Sequence, residues 1–220
     1  MKCKILLKLA FILIIIVLTC TGSVRMKLPK PNLKGTVSVE EAIARRRSIR
    51  RFKKRPLTIK QISQLLWACQ GITDPINKLR AAPSAGATYP FETYVVVGDV
   101  EGLEDGVYHY ESETHSITLV RSGDLRRLLA IACLRQMFIE EAPATIVLAA
   151  VFERTKRYYG ERAYRYISME AGHIGENLHL QCVAMGLGTV MVGAFYDNDV
   201  KTVLGIDEHP LYVMPVGYPR

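Results

Sequence analysis

Between residues 57 and 71 the apolar positions Ile59, Ile62, Leu65, Leu66 and Cys69 recur at the three-and-four spacing of a helix. Thr58-Ile59-Lys60-Gln61 has capping-box spacing at its start, and Gly71 ends it. Ser38-Val39-Glu40-Glu41 repeats that spacing and predicts a short helix over residues 39–46. Further on, residues 91–98 are β-rich, and 107–110 with 116–120 read as a hairpin. A continuous apolar run over 144–152, opened by Pro143, has the pattern of a strand buried on both faces.

Helices are predicted over about 125–132, capped by Asp124, and over about 134–140. The longest is predicted over 157–185, with Gly172 and Gly175 allowing close approach and Gly186-Leu187-Gly188 stopping it. A strand over 189–194, a short helix capped by Asp197 and running to Leu204, and a strand over 211–216 complete the chain. Helices and strands interleave, yet two strands form a hairpin, which favours a layered α+β fold over a doubly wound parallel sheet.

The N-terminus is of another kind. Lys2, Lys4 and Lys8 precede an apolar run over 9–18, as in a secretory signal. Even counted from Ile5 it is shorter than the roughly 20 apolar residues that span a bilayer. Val17-Leu18-Thr19-Cys20 resembles a degenerate lipobox with Cys20 as the lipidated residue. Three readings stay open: a cleaved or lipidated signal, a retained anchor, or translation from Met26 with a cytoplasmic product. In the anchored case Arg25, Lys27, Lys30 and Lys34 outnumber the preceding lysines and favour a cytoplasmic domain. The expected organisation is a signal or membrane anchor over 1–25, a linker over 26–35 containing Pro29 and Pro31, and one domain over 36–220.

The 220 residues are 49% hydrophobic, enough for one domain with a core, and the formal charge is +8. That charge is uneven. Residues 1–55 hold fifteen of the 29 basic residues and two of the 21 acidic ones, so the remainder, with 14 bases and 19 acids, is net −5. An acidic body argues against a nucleic-acid-binding protein, which spreads a basic face over its fold. Cys3, Cys20, Cys69, Cys133 and Cys182 show no metal or disulfide spacing, and the last three read as buried thiols.

The candidate chemistry begins in Ala44-Arg45-Arg46-Arg47-Ser48-Ile49-Arg50-Arg51-Phe52, where guanidinium forks and a hydroxyl suit phosphate oxygens. A solvated or membrane-facing basic patch is the bland alternative. Two further stretches weigh against it. Residues 80–90 are small or turn-forming, which lets backbone approach a ligand closely, and Gly186-Leu187-Gly188 does the same later.

Together these segments resemble the FMN-dependent nitroreductase family. Arg46-Arg47-Ser48-Ile49-Arg50 is similar to its R-x-S-x-R opening. Ala82-Pro83-Ser84-Ala85-Gly86-Ala87-Thr88-Tyr89-Pro90 and Ala171-Gly172-His173-Ile174-Gly175-Glu176-Asn177-Leu178 resemble its SagB-type dehydrogenase branch, as do residues 186–195 and the ending Pro215-Val216-Gly217-Tyr218-Pro219. The resemblance covers about residues 36–220. It implies an α+β sandwich with a mainly antiparallel central sheet, a homodimer, FMN at the dimer interface, and NADH or NADPH as electron donor.

By the same resemblance, Arg46, Arg47, Ser48 and Arg50 hold the phosphate and ribityl chain, with Arg220 as a late phosphate ligand. Pro83, Ser84, Ala85 and Gly86 lie along the flavin ring, expected from the partner subunit. Gly188, Gly193 and Ala194 supply backbone at the ring. No side chain is assigned as a catalytic acid or base, because the flavin carries the chemistry.

The expected activity is ping-pong transfer from NAD(P)H to a nitroaromatic or quinone. The alternative is a SagB-type dehydrogenase oxidising a peptide-derived azoline or other heterocycle. More distant is a non-catalytic, membrane-tethered basic module. Glu176 stands where the branch has Gln, and Tyr158-Tyr159 replaces its Lys-Tyr pair, with Lys156 close by. Glu170, His173, Glu176 and His179 form two E-x-x-H pairs, but a drift of about −60° per three residues puts the outer two on opposite sides of a helix, so packing or pocket capping is the better reading and no metal is expected.

Overall fold

The computed structural model describes residues 25–220. In chain order the elements are β1 (Arg25–Lys27), α1 (Val39–Arg45), β2 (Leu57–Thr58), α2 (Ile59–Gln70), β3 (Ile72–Asp74), β4 (Leu79–Arg80), β5 (Phe91–Val97), β6 (Val100–Glu101), β7 (Gly106–Glu111) and β8 (Ser116–Ser122). There follow α3 (Arg126–Ala132), α4 (Phe138–Glu141), β9 (Ala144–Ala150), α5 (Phe152–Tyr159), α6 (Ala163–Ala184), β10 (Gly188–Thr189), α7 (Asp197–Leu204) and β11 (His209–Gly217).

Two of the capping signals act as their chemistry predicts. Thr58 and Gln61 close a reciprocal capping box on α2, and the Ser38 side chain accepts from the Glu41 N–H at the start of α1. Each satisfies donors that the first turn leaves free.

A seven-stranded sheet, ordered β1-β8-β7-β5-β9-β11-β10 and antiparallel throughout, forms the middle layer. All seven residues of β9 are buried, six of them apolar and the seventh Thr145, as its central place in the sheet requires. Alternation along the strands divides the core in two. Val95, Ile146 and Met214 face one way and pack with Leu65, Leu66, Ile167, Ile174 and Leu178 of α2 and α6. Val96, Val147 and Val213 face the other way, onto Leu129 of α3 and Val200 and Leu204 of α7. Each such fully buried aliphatic contributes about 1.5–3 kcal/mol of transfer free energy, so this double-faced sheet is the stable frame on which the loops hang. The result is an α+β sandwich.

Several expectations change. The longest helix does not begin at residue 157: Gly160, at φ 55° and ψ −138°, breaks it, so α5 stops at Tyr159 and α6 starts at Ala163. Only glycine reaches that backbone region at low cost. Phe152 opens α5 rather than closing β9, and the second helical piece covers Phe138–Glu141 only, following positive-φ residues Leu134 and Arg135. The strand expected over 189–194 shrinks to Gly188–Thr189, because beyond it only Val192 bridges β11, at Val213. Tyr196, not Asp197, is the N-cap of α7.

Part of the expected linker belongs to the body. Arg25–Lys27 pairs with Ser116–Thr118 at the sheet edge, Leu28 is buried, and Ser63 donates to the Pro29 carbonyl. Cys69, Cys133 and Cys182 are buried free thiols, and burial pushes the Cys133 thiol up to about 12. The signal or anchor expected over 1–25 lies, except for Arg25, outside the described residues. Among the described residues no helix is long and apolar enough to cross a membrane.

Candidate functional site

Helix α1 ends at Arg45, and the chain then runs across the edge of the sheet instead of away from the body. Ser48 bridges Thr189 in parallel, and the Ile49 N–H donates to the Thr189 carbonyl at 2.9 Å. Lys53 N–H donates to Tyr218 O at 2.8 Å, and Arg220 N–H to Arg51 O at 3.1 Å. Phe52, 1% exposed, is the apolar anchor: it bridges Pro219 and lies so close to Gly217 that a Cβ there would be 2.9 Å from its ring. The arginine segment is thereby sewn between β10 and the C-terminal tail. Arg46, Arg47, Ser48, Arg50, Gly188 and Arg220, scattered in sequence, come together here.

This edge suits a phosphate. Arg45 pairs with Glu41 at 2.6 Å and Arg46 with Glu176 at 3.4 Å, whereas Arg50, Arg51 and Arg220 are exposed and have no carboxylate partner among the described residues. Clustered guanidinium groups repel one another, and a multivalent anion with several acceptor oxygens relieves that. Arg47 turns back, donating to the Ala44 and Arg46 carbonyls at 3.1 and 2.6 Å, where the end of α1 leaves acceptors free. Thr189 Oγ1, beside Ser48, is buried without a partner among the described residues. A cleft of about 200 Å³ separates the arginine segment from the 186–188 turn, lined in part by Arg47, Ile49, His179 and Gly188. No side chain fits at Gly188, whose added Cβ would lie 2.6 Å from Ile49 Cγ1.

Helix α6 supports this edge from behind. His179 is 4% exposed, and burial lowers its pKa, so the neutral ring donates Nε2–H to Thr189 O at 3.0 Å. Glu176 lies one turn before it, reaching Arg46 with one oxygen and standing 3.9 Å from His179 Nδ1 with the other.

The loop bearing Pro83, Ser84, Ala85 and Gly86 lies on another side of α6. Asn177 donates to Ala81 O at 3.2 Å, and the Ser84 hydroxyl donates to Glu170 Oε2 at 2.7 Å. Glu170 and Asn177 are seven residues apart and share a face, while His179 is turned by about 180° from Glu170. Within one chain, then, α6 separates this loop from the arginine edge. Glu170 of the first E-x-x-H pair thus meets the 83–86 loop, while Glu176 and His179 of the second meet the arginine edge.

The loop is shaped by unusual backbone. Gly86 has φ +57°, and Ala87 and Tyr89 are also left-handed. A Cβ on Gly86 would meet the Tyr159 hydroxyl at 2.6 Å. Ser84 Oγ also accepts from Tyr89 N–H at 2.9 Å, which fixes the turn. Glu170 is buried, its Oε1 has no partner among the described residues, and burial raises its pKa to about 7. Neither Glu170 nor Tyr159 is among the site residues expected from sequence. The cue to Glu170 in the sequence is the E-x-x-H spacing alone, and the cue to Tyr159 is a partial motif match.

Gly193 and Ala194 follow the isolated Val192 bridge. Both are exposed, and neither N–H has an acceptor among the described residues, while Ala194 O accepts from Gln136 Nε2 at 3.0 Å. Truncation of the expected strand is what leaves these two donors free.

Comparison with known proteins adds the following. The nitroreductase family model matches residues 43–218. A protein of Methanocaldococcus jannaschii that carries the name nitroreductase is 46% identical over 192 residues, covering 87% of this chain and 96% of its own length. The trifolitoxin-processing protein TfxB of Rhizobium leguminosarum bv. trifolii is 32% identical over 163 residues, covering 69% of this chain and 44% of that protein. Among solved structures, one from Anabaena variabilis, likewise carrying the name nitroreductase, has a TM-score of 0.80 at 30% identity, covering 91% of this chain and 42% of that one.

Proposed function

Because this chain belongs to the nitroreductase family and is a flavin-type oxidoreductase, we propose that it binds FMN and transfers electrons from NADH or NADPH to an electron-poor acceptor of the nitroaromatic or quinone type. The observation that carries this reading is the convergence of Arg46, Arg47, Ser48, Arg50 and Arg220 on one edge, held there by Ile49–Thr189 and Arg220–Arg51 backbone hydrogen bonds. FMN, when bound, supplies the two-electron chemistry. The arginines and Ser48 donate to phosphate oxygens. The N–H groups of Gly193 and Ala194 offer donors to the ring, and the small residues of the 83–86 loop leave room for it.

A homodimer follows from the same reading. Since α6 divides the two halves of the site within one chain, a second copy is the natural source of the 83–86 loop. A SagB-type dehydrogenase is the second reading, favoured by Tyr159 packing on Gly86 and by the likeness to TfxB. Against it, Tyr158 occupies the lysine position and is exposed, and Lys156 is held by Glu161 at 3.0 Å.

The deciding experiment is the absorbance spectrum of the purified protein, followed by addition of NADH and then NADPH. A flavin spectrum bleached by one donor and restored by a quinone is expected. Protein that is colourless and takes up no FMN on reconstitution sinks the proposal. A flavin bleached only by a heterocyclic peptide selects the second reading.

A further inference from the structure

The arginine edge is faced by one acid from α6. Glu176 is half exposed, its Oε1 lies 3.4 Å from Arg46 Nε, and its Oε2 lies 3.9 Å from His179 Nδ1. His179 cannot move to follow it, being buried and bonded to Thr189 O. Glu41, the other acid nearby, is taken by Arg45. Among Arg46, Arg47, Arg50, Arg51 and Arg220, Arg46 alone has a carboxylate partner among the described residues. It is also the C-cap residue of α1, where the chain leaves that helix.

A carboxylate in that position has two opposite effects on an arriving phosphate. It can orient Arg46 and so assist binding, or it can occupy Arg46 and repel the anion. Geometry and magnitude favour the second. The contact is a single 3.4 Å approach through Nε, not a two-pronged clasp leaving the outer face of the guanidinium fixed. Both partners are solvent-accessible, so the pair itself confers little order. Repulsion between a carboxylate and a doubly charged phosphate is the larger quantity and acts over several ångströms.

We propose that Glu176 is a specificity-determining residue that competes with the cofactor's phosphate for Arg46. It weakens the phosphate-dependent part of flavin affinity and makes the flavin exchangeable instead of permanently held. This rests on the reading of the arginine edge as the FMN phosphate site.

FMN and riboflavin share ring and ribityl chain and differ in the phosphate, so the ratio of their dissociation constants isolates the effect. Both are measured by flavin fluorescence quenching on the full chain, as wild type, Glu176→Gln and Glu176→Ala. Removal of the charge should tighten FMN roughly tenfold at low salt, leave riboflavin within a factor of about two, and lose most of that gain at high salt. Glu176→Ala guards against a new hydrogen bond from glutamine, and thermal melting of the flavin-free proteins checks folding. An unchanged FMN-to-riboflavin ratio overturns the proposal, and so does weaker FMN binding in the variants, which identifies Glu176 as an orienting residue. If the wild type takes up neither flavin, the cofactor reading fails and this proposal with it. Uptake with an unaltered ratio sinks the competition alone.

Discussion

Ser84 donates its hydroxyl to Glu170 at 2.7 Å, and that same oxygen accepts the Tyr89 N–H at 2.9 Å, so one buried carboxyl holds the turn of the 83–89 loop. Burial raises this carboxyl from 4.5 to about 7, opposed by the Ser84 bond and by Arg80. The folded protein therefore holds the proton more tightly than the unfolded chain does. Stability falls as pH climbs from about 4.5 to about 7 and levels off above, a change on the order of 2–3 kcal/mol. Glu170→Gln keeps an acceptor for Ser84 and removes the titration. In urea titrations at about pH 5 and about pH 8, the stability difference should be about 2 kcal/mol smaller in the variant. Equal differences in the two proteins would remove Glu170 from the account.

Gly86 answers a different constraint in the same loop. Its φ of +57° costs an L-residue about 1 kcal/mol, and its Cβ would fall 2.6 Å from the Tyr159 hydroxyl. Gly86→Ala should destabilise the protein by about 1–3 kcal/mol. Tyr159→Phe removes the clashing oxygen, so the double variant should recover part of that loss while the backbone cost persists. A strictly additive double-mutant cycle in chemical denaturation would mean the two residues do not meet.

What the sequence discloses is what depends on near neighbours. The Thr58–Gln61 capping box, the seven buried residues of β9 and the β7–β8 hairpin are each specified within seventeen residues or fewer, and each appears as expected. Arg25–Lys27 is different: a three-residue strand whose partner lies ninety residues on carries no periodicity to detect. The break at Gly160 is hidden because one glycine among helix-forming residues is equally compatible with a continuous helix. The site divides in the same way. The arginines are legible as a group suited to phosphate, but the bonds that seat their segment, from Ile49 N–H to Thr189 O and from Lys53 N–H to Tyr218 O, are tertiary. Glu170 and Glu176 take opposite fates, buried against exposed, according to which side of α6 each loop meets.

Gly188 ties the arginine segment to the sheet. An added Cβ would lie 2.6 Å from Cγ1 and 2.8 Å from Cβ of Ile49, a branched side chain that cannot swing its own Cβ away. Gly188→Ala must therefore push the segment off β10 and stretch the Ile49–Thr189 hydrogen bond. The expected loss of stability is about 1–3 kcal/mol. FMN affinity should fall roughly tenfold as the arginines lose register. A melt and a flavin titration on the same preparation separate the two effects, and native FMN affinity in a destabilised variant would show that the segment's position does not govern binding.

Arg50 and Arg51 are adjacent, both exposed and without a carboxylate partner among the described residues, yet they are expected to differ. Arg50 occupies the phosphate position implied by the family's opening motif. Arg51 contributes its backbone carbonyl, which accepts from Arg220 N–H at 3.1 Å and survives truncation of the side chain. A hydrogen bond from a charged donor to phosphate is worth about 1.5–3 kcal/mol, so Arg50→Ala should weaken FMN by about ten- to a hundredfold. Arg51→Ala removes only a screened surface charge and should cost less than about threefold, vanishing at high salt. Fluorescence titrations at two ionic strengths decide the matter. If both variants lose affinity equally, and equally for riboflavin, the segment acts as a diffuse basic surface and the register assigned to the phosphate grip is wrong.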